Sequence, residues 1–484
     1  MTADSTAAIP DALRRRILAV MTLWFCMALI DVGVVNVALP SIQHNLGATP
    51  ADLQWVLSGY ALTFGAVLVA AGRAGDILGR GGLFLAGLVV FTAASLAAAL
   101  APTPAWLNGA RFIEGIGAGA MSPQVYGMVQ QYFHGAERGR AFGFLGMATS
   151  LSIAIAPPLG GALIALGGPY WGWRLTFLVN VPLGIVGGVL AWRWFPKPLV
   201  AVHAATDRNG VRPRAGLLAS LDLVGSALAA LAVLALLLPF VEFRASAWVW
   251  LWLLVAAAAT WGWIAWERGY ARRGQPAMVD LGIFKLASFT NGLGIQTLYF
   301  LGMTSVWVLV ALYAQEAAGM SAFATGLLGV PSALVAAATA RWSGKRVANM
   351  GRVLVIAGQV VAIGGLALSM LVVFAHAHFG ISLWWLTLTF GVYGLGQGAT
   401  VSPNQTLTLQ AVPVAYAGSA GALVSTSQRV GASVGIAVVT GVAFAVLART
   451  SWATATLAGF ALIGLLMLAA IGVGIRDWRA AQGH

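Results

Sequence analysis

The stretch L-I-D-V-G-V-V-N-V-A-L-P, from Leu29 to Pro40, lies inside the first long apolar segment of the chain. Its carboxylate belongs to Asp31, and a charged side chain at the bilayer centre costs about 2.5 to 3.5 kcal/mol on insertion scales. Acidic residues inside membrane segments are therefore rare and mostly functional. The stretch predicts a membrane helix that carries a proton-binding or cation-binding group.

The composition of the whole chain predicts an all-α integral membrane protein. Of its 484 residues, 60% are hydrophobic and only 8% are charged, whereas about 25% of the residues of a soluble domain are charged. Apolar segments of roughly 20 residues, long enough to cross a bilayer as helices, recur along the chain. We count fourteen, with predicted starts at Ile17, Leu53, Leu83, Trp106, Arg140, Arg174, Ala219, Ala247, Ser288, Phe323, Arg352, Ser382, Gly418 and Ala453.

The distribution of basic residues predicts the topology. The formal net charge is +13, but the basic residues lie in alternate connectors and in both tails, for example in 14–16, 268–273 and 341–352. They form no continuous stripe of the kind that binds nucleic acid. An excess of Lys and Arg marks cytoplasmic loops, so both termini are predicted to be cytoplasmic, in a multi-pass protein of the cytoplasmic (inner) membrane.

Two pairs of similar strings indicate an internal repeat. G-R-A-G-D-I-L-G-R at Gly72–Arg80 matches G-K-R-V-A-N-M-G-R at Gly344–Arg352, and G-I-G-A-G-A-M-S-P-Q at Gly115–Gln124 matches G-L-G-Q-G-A-T-V-S-P-N at Gly394–Asn404. Both pairs are in register if helices 1 to 6 correspond to helices 9 to 14. Such repeats are typical of secondary transporters.

The repeat and the longest polar connector together predict the domain boundaries. We expect an N-terminal six-helix bundle at residues 1–196, a cytoplasmic linker at 197–218, two inserted transmembrane helices at 219–268, and a C-terminal six-helix bundle with a short cytoplasmic tail at 269–484.

These motifs resemble those of the fourteen-helix drug:proton antiporters of the major facilitator superfamily. The helix 1 string is similar to L-D-x-T-x-V-N-V-A-L-P, with Gly33 where threonine is usual, and Gly72–Arg80 is similar to G-x-L-A-D-R-x-G-R. The run from Trp173 to Gly184 is a further match to the exporter branch. The resemblance implies the major facilitator fold, small-molecule transport driven by a proton gradient, and no bound cofactor or metal.

The helix 4 string from Arg111 to Gly119 resembles R-x-x-Q-G-x-G, with Glu114 in place of glutamine. Residues three apart share a helix face, so Arg111 and Glu114 can pair. We predict Asp31, Glu114 and Arg111 as the proton-coupling residues. The alternatives are that Glu114 only compensates the charge of Arg111, and that Asp31 only pairs with Arg111 or Arg429.

The resemblance also implies a conformational latch and an antiporter motif. The latch residues are Gly72, Asp76, Gly79, Arg80 and Arg138, with Arg138 or Arg140 as partner of Asp76. The helix 5 motif resembles G-x8-G-x3-G-P-x2-G-G, with Ser152 and Ala156 in place of two glycines, and small residues there permit close helix packing. Its residues are Gly143, Ser152, Ala156, Pro157, Gly160 and Gly161.

We predict that the protein exports small amphipathic compounds, cationic ones above all, by proton antiport and alternating access, as a monomer. Candidate substrate contacts are Asp31, Asn36, Tyr60, Glu114, Gln124, Tyr299, Gln397 and Asn404; the alternative for the polar ones is hydrogen bonding between helices. The competing functions are a proton-coupled nutrient importer or facilitator, and a membrane sensor or scaffold without transport. Enzyme motifs for metal-assisted, nucleophilic or ATP chemistry are not found in the sequence, so an enzyme is not expected.

Overall fold

Helices account for nearly all of the computed structural model, which describes residues 10–200, 221–241, 247–273, 275 and 277–482. Within those ranges fourteen α-helices follow one another, and none of the residues forms a strand. They are α1 Asp11–Leu46, α2 Pro50–Leu78, α3 Arg80–Ala99, α4 Pro104–Tyr132, α5 Ala136–Leu178, α6 Asn180–Trp194, α7 Leu223–Val241, α8 Trp252–Arg272, α9 Ala287–Leu312, α10 Ala322–Met350, α11 Arg352–Phe379, α12 Leu386–Gln410, α13 Ala417–Leu447 and α14 Trp452–Gln482.

The helices correspond one for one to the predicted segments, but fewer stretches qualify as membrane spans by length and composition. In the described residues eleven do, with α5 and α6 counted as one stretch. Helices α4 and α12 are not among them, because polar residues such as Arg111, Glu114 and Asn404 interrupt their apolar character. The all-α membrane fold is confirmed, whereas the count of fourteen spans stays a prediction.

The break between the fifth and sixth segments lies at Gly168 rather than at Arg174. Gly168 has φ 63° and ψ −163°, a conformation that glycine adopts without a steric penalty, and Pro169 follows it. The helical chain then continues through Leu178 and, after Val179, into α6. The polar connector predicted at 197–218 is described only up to residue 200, and α8 extends to Arg272, past the predicted boundary at residue 268.

The contacts between helices repeat as the sequence repeat predicts. In the N-terminal bundle, α1–α6, the contacting pairs are α2–α4, α1–α5, α3–α4, α3–α6 and α1–α6. In the C-terminal bundle, α9–α14, the contacting pairs are α10–α12, α9–α13, α11–α12, α11–α14 and α9–α14. Adding eight to each helix number of the first set gives the second, so the two bundles are built alike.

The two bundles meet most closely at the end of the molecule that carries the α2–α3 and α10–α11 turns, here called the signature end. Helix α2 packs against α13, and α5 packs against α10. A methyl group added to Gly72 would lie 2.7 Å from the carbonyl oxygen of Gly418, and one added to Gly344 would lie 2.4 Å from that of Gly139. Small residues are therefore required on both sides of the contact.

The inserted helices α7 and α8 pack on each other, and α7 also contacts α2 and α13. Leu62 of α2 and Val233 and Leu237 of α7 form a small buried cluster, with Val430 of α13 against it. The insertion therefore lies along the junction between the two bundles.

Candidate functional site

A buried cluster of three charged residues lies inside the N-terminal bundle. One terminal nitrogen of Arg111 donates to Oδ2 of Asp31 at 2.8 Å and to Oε2 of Glu114 at 2.6 Å. Asp31 and Glu114 are 0% exposed and Arg111 is 1% exposed. The spacing of three residues does bring Arg111 and Glu114 together on α4, and Asp31 reaches the same guanidinium from α1.

Two uncharged residues complete this cluster. Asn180, the first residue of α6, donates from Nδ2 to Oδ1 of Asp31 at 2.8 Å, and the hydroxyl of Ser95 in α3 donates to Glu114. Asn180 Nδ2 also lies 3.3 Å from Ser95 Oγ. Sequence reasoning missed both residues as site residues, although Asn180 lies in the Trp173–Gly184 run that carried part of the family resemblance.

The remaining donor of Arg111 and the face of its guanidinium are also occupied. Nε donates to the carbonyl of Val56 at 3.0 Å, and the guanidinium carbon lies 4.4 Å from the centroid of the Tyr60 ring. Cation–π contact and the backbone bond together fix the position of the arginine. With both carboxylates ionised the cluster has two negative charges and one positive charge, so its formal charge is −1.

Two departures from the family pattern contact each other beside this cluster. A methyl group added to Gly33 of α1 would lie 2.3 Å from the Cβ of Ala156 in α5. Gly33 stands where threonine is usual, and Ala156 stands where glycine is usual. The larger residue has moved from α1 to α5, so the two substitutions compensate each other.

The rest of the helix 5 motif divides between two neighbours. Gly160 packs on Val34 of α1, and Gly143 packs on Gly344 of α10. Ser152 Oγ donates within its own helix to the carbonyl of Ala148, while Pro157 and Gly161 are exposed. Helix α5 therefore contacts α1 beside Asp31 and contacts the other bundle at the signature end.

The predicted latch lies at the contact between α2 and α13. Oδ1 and Oδ2 of Asp76 accept hydrogen bonds from the backbone nitrogens of Gly418 and Ser419 at 2.9 and 3.0 Å. These nitrogens belong to the first turn of α13, where free N–H groups and the helix dipole favour a carboxylate. Arg80 pairs with Asp76 at 2.8 Å and donates to the carbonyl of Val414 at 2.6 Å.

The pairing of Asp76 with Arg138 or Arg140 is wrong. Arg80 is four residues from Asp76, across the turn at Gly79, whose φ of 100° favours glycine, and so it reaches the carboxylate first. Arg138 instead donates to the carbonyls of Phe133 and Gln130 in its own bundle, at 3.2 and 3.4 Å, and to that of Gln410 at 3.5 Å. Arg138 still joins the two bundles, but through backbone carbonyls. Arg140 is exposed.

The structure places the candidate substrate contacts in different surroundings. Asn36 is exposed and donates to the carbonyl of Val32 in its own helix. Tyr60 is 2% exposed and lies under Arg111. Gln124 is fully buried and donates to the carbonyl of Ala71, which ties α4 to α2. None of the three forms a described contact with the C-terminal bundle in these hydrogen bonds.

The candidates of the C-terminal bundle are likewise dispersed. Tyr299 is 1% exposed and interacts with Tyr393 of α12, and Gln397 is half-buried. Asn404 accepts a hydrogen bond from Arg352 and donates to Gln296 at 2.9 Å, so its side chain joins helices within one bundle. Their substrate role stays a prediction.

Arg429 faces the N-terminal bundle from α13. Its guanidinium carbon lies 3.9 Å from the centroid of the Phe64 ring, and the Phe64 and Tyr60 rings are 5.9 Å apart. Arg111, and not Arg429, is the cation that pairs with Asp31. A positive charge therefore faces the junction of the two bundles, separated from the carboxylate cluster by aromatic rings.

These features define a class of protein. Two helical bundles of the same internal arrangement, a charged cluster inside one of them and a polar contact between them at one end are the architecture of a secondary transporter. Such a protein moves a solute by rocking one bundle against the other.

The comparisons with known proteins agree: the chain belongs to the major facilitator superfamily. The family profile described as Major Facilitator Superfamily matches residues 21–214. A relative from Streptomyces coelicolor, named a probable actinorhodin transporter, is 33% identical over 461 residues, which is 93% of this chain and 76% of the relative. The multidrug resistance protein Stp of Mycobacterium tuberculosis is 30% identical over 432 residues, 88% of this chain and 75% of the relative.

A solved structure shares the fold. The crystal structure of the human organic anion transporter MFSD10 (TETRAN) has a TM-score of 0.67 at 15% identity and covers 96% of this chain and 100% of the other. Family and relatives confirm that the chain is a multi-pass membrane transporter of small molecules and not an enzyme.

Proposed function

We propose that the protein is a proton-coupled antiporter that exports small amphipathic compounds, drugs or a natural product, across the cytoplasmic membrane. The observation that carries the proposal is the buried Asp31–Arg111–Glu114 cluster with its formal charge of −1. A net charge in a dry interior is costly, and one added proton makes the cluster neutral. A group that is stable with one proton and strained without it suits reversible proton binding.

The charge distribution supports a cytoplasmic location for the signature end. The loops and helix ends there carry Arg73, Arg80, Arg138, Lys345 and Arg352, and basic residues favour the cytoplasmic side. Because the bundles are in contact at this end, the structure then corresponds to a state closed to the cytoplasm. Export would require this contact to open, to admit substrate, and to close again.

Helix α5 offers a physical connection between the proton site and this contact. It packs on α1 through Ala156 and Gly160, next to Asp31, and on α10 through Gly143. A proton on Asp31 or Glu114 would remove an acceptor from Arg111, Asn180 or Ser95, and the resulting adjustment of α1 would be felt by α5. In the proposed cycle the proton enters from outside, the bundles reorient, and its release to the cytoplasm restores the charged cluster for the next substrate.

The names of the relatives, a probable actinorhodin transporter and a multidrug resistance protein, support export of natural products or drugs. The preference for cationic substrates stays a prediction, because the carboxylates are buried behind Arg111 and the charged group at the junction of the bundles is Arg429. We propose that protons, rather than substrate, bind the carboxylates directly.

The proposal predicts uptake into everted membrane vesicles that depends on an acid interior. We expect the parent to accumulate a fluorescent amphipathic compound when the vesicle lumen is acidified, and to lose the accumulation when the gradient is collapsed. Asp31→Asn should reduce gradient-dependent uptake to background, because the amide accepts no proton. A cationic, an anionic and a neutral compound should be compared.

Glu316→Gln provides the matched control, because this carboxylate is exposed and lies far from the cluster in the short helix Tyr313–Ala317. It should leave uptake unchanged. Undiminished gradient-dependent uptake in the double variant Asp31→Asn/Glu114→Gln would contradict the assignment of the proton site.

A further inference from the structure

The two inserted helices carry a buried carboxylate at the signature end. Glu267 of α8 is 1% exposed. Its Oε1 accepts from the indole nitrogen of Trp263 at 3.0 Å, and its Oε2 accepts from the backbone nitrogen of Met278 at 3.0 Å. Met278 and Val279 are both 0% exposed, so Glu267 fixes the chain segment that leads from the inserted helices into the C-terminal bundle.

This segment contacts the latch. Ser419, at the start of α13, has its hydroxyl oxygen 3.1 Å from Oδ2 of Asp76 and 3.3 Å from the carbonyl oxygen of Met278. The Met278 sulfur lies 3.2 Å from the hydroxyl of Ser226 in α7. Met278 is thus in contact with α7, with α8 through Glu267, and with the first turn of α13, to which Asp76 is bonded.

A second buried carboxylate connects the insertion to the N-terminal bundle. Asp222, 2% exposed, accepts from the backbone of Gly225 at 3.0 Å and from the indole of Trp266 at 2.8 Å. Arg73 of α2, 3% exposed, interacts electrostatically with Asp76, Glu267 and Asp222. The insertion therefore supplies negative charge to an arginine that lies beside the latch.

We propose that the inserted pair α7–α8 braces the closed signature end, with Glu267 as the positioning residue. Arg73 of one bundle and Ser419 of the other converge on the same insertion, so separation of Gly72 from Gly418 requires the insertion to release one of them. Glu267 sets the position of Met278 at this convergence. The role concerns the gate itself and is independent of the transported solute and of the proton site.

The test is the distance between the bundles at the signature end in the purified full-length protein. Spin labels at His134→Cys and Met350→Cys, exposed positions on opposite bundles, are introduced with Cys26→Ala and measured by double electron–electron resonance. Glu267→Gln keeps the shape of the side chain but places amide hydrogens toward two donors. We expect the population with the longer, open distance to rise several-fold, and Glu316→Gln to leave it unchanged.

Hydrogen exchange distinguishes a brace from a local anchor of α8. In Glu267→Gln the exchange of amides in both 277–285 and 417–421 should increase, whereas a purely local role would affect the first segment alone. By reciprocity, Asp76→Asn should raise exchange at Met278 and Val279, and this arm needs no change in the insertion. An unchanged distance distribution in Glu267→Gln, or unchanged exchange at Met278 and Val279 in Asp76→Asn, would overturn the proposal.

Discussion

Arg111→Met is expected to lower the free energy of unfolding by about 3–5 kcal/mol, the usual cost of removing one partner of a buried ion pair. The substitution leaves Asp31 and Glu114, both fully buried, without the guanidinium that they share. It also leaves the carbonyl of Val56 without its donor. We expect a lower thermal unfolding temperature in detergent and a smaller yield of monodisperse protein.

The control for this prediction removes the charges together. The triple variant Asp31→Asn/Arg111→Met/Glu114→Gln buries no charge, and neutral replacements of buried ionic groups are often tolerated. Its unfolding temperature should recover most of the loss, while proton-dependent transport should not return. If Arg111→Met alone were as stable as the parent, or the triple variant no more stable than the single one, the charge argument would be wrong.

Gly33→Thr is the second substitution with a large expected effect, although threonine is the usual residue of the family at this position. The new Cβ would lie 2.3 Å from the Cβ of Ala156, and overpacking of this kind costs about 1–3 kcal/mol. Because the contact lies two residues from Asp31, we expect transport activity and the unfolding temperature to fall together.

Ala156→Gly in the same chain should rescue Gly33→Thr, because it removes the atom with which the new side chain collides. The double variant restores the family pattern on both helices. A double-mutant cycle on the unfolding temperature should give a favourable coupling, of order 0.5–3 kcal/mol for residues in contact. Strictly additive effects would contradict the compensation between α1 and α5.

Much of this arrangement follows from the sequence. Apolar segment length predicts each helix, and the repeated strings predict that the second bundle copies the first, as the helix contacts confirm. Helical spacing alone places Arg111 beside Glu114. The cost of a buried charge makes Asp31 a natural third member, and the structure selects Arg111 over Arg429 as its partner.

What could not be predicted depends on contacts between helices distant in sequence. Asn180 and Ser95 are ordinary polar residues until α6 and α3 bring them to the carboxylates. The latch partner was misassigned because the nearest basic residue, Arg80, lies across a glycine turn, and because Asp76 reaches backbone nitrogens of α13 that no side-chain pattern reveals. Polar spacing also made Asn404 a pocket candidate, although its bonds lie within one bundle.

The central claim is that the Asp31–Arg111–Glu114 cluster is the proton site, and substrate-induced proton release tests it most directly. Purified protein in weakly buffered detergent solution is mixed with a transported compound, and the released protons are counted with a pH indicator. The parent should release about one proton per chain, because two coupled carboxylates exchange protons as a pair, and the double variant Asp31→Asn/Glu114→Gln should release none. Release from the double variant equal to that of the parent would contradict the account.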